Sequence, residues 1–205
     1  MLISVMGLIG SGKSTLAHNL AGRTNYIEFQ EPVDTNPFLL KYYEDPVRWS
    51  YAMQVNLLFE RYKMTQEAYF KSLHGDIAIL DSTIYSDMAF ALVQRWNHYF
   101  TREEYKSYTN MHKVIAMQSA QADITFWLEA PIEVSMQRIN SRGRDCEANI
   151  PRKYLEDLRE AYDIVLHTIS GQTDVITLDA TKSARDVYQS ASDIISARVK
   201  AETQC

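Results

Sequence analysis

The 205-residue chain is 46% hydrophobic and carries 21 basic against 26 acidic residues, a net charge of −5; this suits one folded domain over residues 1–205 and disfavours disorder. The acidic balance argues against a general nucleic-acid binder and requires any phosphate-binding charge to be local. Two cysteines, Cys146 and Cys205, are too few for a disulfide framework, the N-terminus has no basic leader, and no apolar run nears the roughly 18 residues of a membrane span, so a cytoplasmic protein without membrane association is expected.

Short apolar runs at residues 2–6, 26–29, 77–80, 124–128 and 175–178 read as buried strands, with longer helix-like stretches between them. Parallel neighbours require crossover connections, so this alternation predicts an α/β fold: a parallel five-stranded sheet flanked by helices. Ligands of such sheets bind beyond the carboxyl ends of the strands. The loop after Gly7 and the acids Glu31, Asp81, Glu129 and Asp179 would then share one edge, although Glu129 and Asp179 read more readily as helix caps or loop-starting acids.

After the first strand, Gly7-Leu8-Ile9-Gly10-Ser11-Gly12-Lys13-Ser14-Thr15 matches G-x-x-x-x-G-K-[ST] in full and opens a helix carried by Leu16 and Leu20. Glycines let the backbone turn its N–H groups toward phosphates, and the helix N-terminus adds its positive end. Lys13 is expected to reach the β and γ phosphates of ATP and the Ser14 hydroxyl to ligate Mg2+. The guanine-binding string Asn-Lys-x-Asp of GTPases is absent.

Further along, Glu31 precedes Pro32, which biases it toward an extended backbone over the sheet edge. There its carboxylate can accept a proton from a hydroxyl attacking the γ phosphate, or serve as a capping or salt-bridged acid. Gln54 and Arg61, seven residues apart, share one helix face; an amide and a guanidinium suit a base edge, or simply solvent. The segments with Ala89, Phe90, Leu92 and Val93 and with Met111, Val114, Ile115 and Met117 suit a helix-bundle interface or core packing equally. Arg138 and Arg142 lie one helical turn apart, with Arg144 past Gly143, so the three can converge on an anion or form a solvated basic helix end.

Together with residues 43–54, Arg61, Asp81-Ser82-Thr83-Ile84-Tyr85-Ser86-Asp87 and residues 138–147, these blocks keep an order and spacing that resemble the deoxyribonucleoside kinase family from residue 2 to about residue 166. The resemblance implies a P-loop kinase fold with an arginine-rich lid and ATP-dependent, Mg2+-assisted transfer of the γ-phosphoryl group to the 5′-hydroxyl of a small-molecule deoxynucleoside. It implies Gly7, Gly10, Ser11, Gly12, Lys13, Ser14, Thr15 and Arg138 at the nucleotide, with Ser14 and Asp81 at the metal. Glu31, Lys13, Arg142 and Arg144 would be catalytic, Glu31 as the base. Gln54, Arg61 and Asp87 would grip the nucleobase, in a pairing that implies a purine or deoxycytidine preference over thymidine, while Tyr43 and Glu147 would hold the sugar 3′-hydroxyl. A homodimer is implied as well.

Two departures stand out. The family's Glu/Asp-Arg-Ser after the third strand is here Asp81-Ser82-Thr83, which removes a cation beside the catalytic carboxylate; the lid arginines are the nearest expected substitutes. Cys146 replaces a lid glutamate. Alternative readings are a nucleoside monophosphate kinase of thymidylate-kinase type and a catalytically impaired nucleotide-binding protein.

Overall fold

In the computed structural model, which describes residues 1–31, 33, 35–143 and 150–203, the chain alternates strands and helices as expected. The order is β1 (Leu2–Gly7), α1 (Lys13–Gly22), β2 (Ile27–Phe29), α2 (Leu39–Glu44), α3 (Pro46–Leu73), β3 (Ala78–Asp81), α4 (Ile84–Trp96), α5 (Arg102–Gln118), β4 (Ile124–Glu129), α6 (Ile132–Arg142), α7 (Arg152–Ile169), β5 (Asp174–Asp179) and α8 (Ala184–Thr203). Every predicted strand forms, within one residue at each end. The strands build a parallel sheet in the order β2-β3-β1-β4-β5.

Alternation along the central strands decides which helices cover which face. Ile3, Val5, Ile79, Phe126 and Leu128 pack against α1 and α8 through Leu16, Leu20, Val187 and Ile195. The opposite face is divided: Met6 and Trp127 meet α4 and α7, while Leu2 and Leu80 meet Met64 and Ala68 of α3. Burying each such large apolar side chain contributes about 1.5–3 kcal/mol. The polar positions of this core pair among themselves: the Ser4 and Thr125 hydroxyls lie 2.8 Å apart, and those of Thr125 and Thr173 lie 3.0 Å apart.

Helix starts follow local chemistry. Asp45 accepts from the Arg48 amide at 3.1 Å with Pro46 at the first helical position, which starts the long α3. A capping box between Thr101 and Glu104 starts α5. Ala89 and Val93 are core residues, whereas Val114 and Met117 are exposed on α5. Among the described residues, no helix is long and apolar enough to cross a membrane.

Candidate active site

Register brings the chemistry to one sheet edge. Val5 pairs with Asp81 and Gly7 with Leu128, so the loop after β1 emerges between the ends of β3 and β4. Gly12, at φ 102°, caps α1 without a side chain to occupy its first amides, which leaves those N–H groups for an anion. Close approach fixes two other loop positions. A Cβ on Gly7 would lie 2.5 Å from Ser11 Oγ, and one on Gly10 would lie 2.6 Å from the Ser135 carbonyl oxygen. Lys13 donates to the carbonyls of Gly7 and Leu8, both at 3.1 Å, and so lies back along the loop.

A cavity of about 970 Å³ opens over this edge, a volume that suits small-molecule ligands. Its walls include Gly10, Lys13, Ser14 and Thr15 of the phosphate loop and α1 together with Glu31, Gln54 and Arg61. Tyr43 and Arg142 also line it. Asp87 lies behind the wall, fully buried. Arg144 and Glu147, together with Cys146 and Pro32, lie outside the described residues.

The α3 side chains reach α4 and the end of β2. Gln54 donates through Nε2 to Asp87 Oδ1 at 2.9 Å. Arg61, 1% exposed, donates through one terminal nitrogen to Asp87 Oδ1 and through the other to Glu31 Oε1. Gln54 Oε1 and Asp87 Oδ2 are buried acceptors with no hydrogen-bond partner among the described residues. Burial alone would push the Glu31 carboxyl up, but the charges of Arg61 and Lys13, with hydrogen bonds from Arg61 and Ser82, hold it below the usual carboxylate range. Among the described residues, the cation paired with Glu31 is Arg61 of α3, where the lid arginines were the expected substitutes for the one missing at position 82. The reason is reach: a side chain from the buried face of α3 passes directly beneath the end of β2.

Asp81 behaves in the opposite way. Burial raises its proton affinity, offset in part by Lys13 and by a hydrogen bond from Ser14, while Glu31 and Glu28 raise it further. Its Oδ1 is buried without a partner among the described residues. An unpaired carboxylate oxygen beside a hydroxyl suits a hard divalent cation that takes its remaining ligands from phosphates and water. Among the described residues, no group of three or more His, Cys, Asp or Glu side chains forms a metal cage.

Three expectations change or narrow. Arg138 donates to the carbonyls of Ser11 at 3.1 Å and Ala180 at 2.7 Å, so its guanidinium ties the phosphate loop to the segment after β5. Ser11 and Ala180 are both buried, and the guanidinium satisfies their carbonyl oxygens there. The other two are Glu129, which pairs with Arg159 and accepts from Trp127 Nε1 at 2.7 Å, and Asp179, which accepts from the Thr181 amide at 3.0 Å. Both are structural acids.

Residues overlooked in the sequence also line the cavity, among them Tyr42, Gln94 and Tyr154. Gln94 Nε2 donates to the Tyr42 hydroxyl at 3.0 Å. A signal for Gln94 was present: it follows Asp87 by seven residues, the same spacing that relates Gln54 to Arg61.

A family model for deoxynucleoside kinase matches residues 3–201. The chain is 34% identical over 165 residues to the deoxyadenosine/deoxycytidine kinase of Bacillus subtilis, covering 79% of this chain and 75% of that one. It is 31% identical over 177 residues to the deoxyadenosine kinase of Dictyostelium discoideum, covering 86% and 71%. The structure of deoxyadenosine kinase from M. mycoides with bound dATP superposes with a TM-score of 0.85 at 25% identity, covering 96% of this chain and 100% of that chain.

Proposed function

Because the chain belongs to the deoxynucleoside kinase family and is a phosphotransferase acting on a hydroxyl acceptor, we propose that it transfers the γ-phosphoryl group of ATP to the 5′-hydroxyl of a deoxynucleoside bearing an amino group on its base. The observation that carries this reading is the Glu31–Arg61–Asp87 chain with Gln54: Glu31, Arg61 and Gln54 line one cavity, and the buried Asp87 behind its wall ties Arg61 and Gln54 together. In the reaction, Glu31 takes the 5′-hydroxyl proton and the freed oxygen bonds to the γ phosphorus. The bond to the β–γ bridging oxygen breaks, and ADP leaves with its electron pair.

Preference among bases follows from which groups are unpaired. On the α3–α4 side, Gln54 Oε1 and Asp87 Oδ2, buried acceptors without a hydrogen-bond partner among the described residues, favour a base that donates. Adenine, cytosine and guanine each carry an exocyclic amine and thymine carries none. That supports purine deoxynucleosides or deoxycytidine over thymidine. Tyr43, on the cavity wall, is assigned to the sugar.

At the donor end, the loop amides, Lys13 and Arg142 hold the phosphates. Ser14 and Asp81 would hold Mg2+, which when bound neutralises charge on the phosphates. Exposed Phe59, Phe70 and Leu73 on α3 support a homodimer. The low cysteine count fits action in a reducing cytoplasm.

The test is an ATP-consumption assay with Mg2+ against four deoxynucleosides and their monophosphates, with products identified by mass. Phosphorylation of deoxyadenosine, deoxyguanosine or deoxycytidine above thymidine is expected. Turnover of monophosphates alone, or of nothing, overturns the reading.

A further inference from the structure

Position 82 holds a serine where the family resemblance leads one to expect arginine, and the backbone there is unusual: Ser82 has φ 87°, in the left-handed region. Ser82 is 1% exposed and lines the cavity with Glu31, whose carboxylate its hydroxyl helps to stabilise. Its neutral hydroxyl cannot replace a charge. The charge arrives from Arg61, whose two terminal nitrogens engage carboxylates on different elements. One is Asp87, wholly buried on α4; the other is Glu31, whose side chain is 21% exposed at the end of β2.

An arginine serving only to neutralise Asp87 would need one of these contacts. The second turns out of the core toward the cavity, to a carboxylate that Lys13 also stabilises. Building on the kinase reading above, we propose that Arg61 is the positioning residue for Glu31 in the phosphoryl transfer, taking over the work of the missing arginine at position 82, so that one guanidinium orients the general base and braces the base-reading Asp87. Only a planar fork can do both, because a lysine ammonium is a point charge that reaches one carboxylate at a time. Turnover and base recognition are consequently tied to a single side chain, and a substitution there damages both.

The two roles separate by rescue. Arg61→Lys, chosen because complete removal would strand the buried Asp87 charge, is compared with wild type and with the double variant Arg61→Lys/Ser82→Arg for kcat and for KM toward the preferred deoxynucleoside, with melting temperature as a control. We expect Arg61→Lys to lower kcat about tenfold or more and to raise KM. The double variant is expected to recover kcat while KM stays raised, because position 82 lines the cavity with Glu31 whereas Asp87 lies behind the wall. If Ser82→Arg prevents folding, the shorter Ser82→Lys is used in its place. Unchanged kcat in Arg61→Lys overturns the proposal, as does failure of a folded double variant to regain kcat. Wild type that phosphorylates no deoxynucleoside overturns instead the kinase reading on which the proposal rests.

Discussion

Arg138 donates to the main-chain carbonyl of Ser11 at 3.1 Å, across 127 residues of sequence. The same guanidinium reaches the Ala180 carbonyl at 2.7 Å, so α6, the loop after β1 and the segment after β5 are held by one side chain. Hydrogen bonds from a charged donor contribute about 1.5–3 kcal/mol each to such an arrangement. Arg138→Met should therefore raise KM for ATP by about tenfold while leaving KM for the deoxynucleoside close to wild type, as read from initial rates with each substrate varied in turn.

The loop itself leaves no room at Gly10. Its φ is 79° and an added Cβ would meet the Ser135 carbonyl oxygen at 2.6 Å. That neighbour is helix backbone and cannot swing aside. Gly10→Ala should lower stability by about 1–3 kcal/mol, seen as a reduced melting temperature, and should weaken ATP binding in calorimetry. Gly12→Ala, at a position with open space around it, should disturb packing less.

Glu31 is held below the usual carboxylate range, burial being outweighed by Arg61 and Lys13. Its acid limb in kcat/KM should thus fall below the ordinary glutamate value of about 4.3. A carboxyl whose folded pKa lies under its unfolded one stabilises the fold above the unfolded value, and that contribution is lost as pH falls through the folded one. Glu31→Gln should reduce kcat by about 10²–10⁴-fold with nucleotide affinity retained. Full activity in this variant would remove Glu31 as the base.

His112 supplies a separate acid response. Burial lowers its pKa, opposed by the hydrogen bond to the Ile84 carbonyl at 2.9 Å. The imidazole is therefore neutral in the fold and protonates more readily once unfolded. Stability should decline as pH falls below the unfolded value of about 6.5 and level off beneath the folded value. In His112→Gln the slope of melting temperature against pH between about 6.5 and 5 should flatten.

Much of this protein is readable in its sequence because the signals are contiguous. The strands declare themselves by apolar runs, and the phosphate loop occupies nine consecutive residues whose glycines, lysine and hydroxyls act through backbone geometry set locally. Gln54 and Arg61 share a face because helical periodicity carries that information in their spacing. Partnership between elements was not readable. That Arg61 reaches Glu31, thirty residues away, depends on how α3 lies under the end of β2, and that Arg138 binds carbonyls depends on where two loops meet α6. A guanidinium has the same chemistry facing a phosphate, a carboxylate or a peptide oxygen, so the sequence determined which groups were available and packing alone decided which of them each arginine would meet.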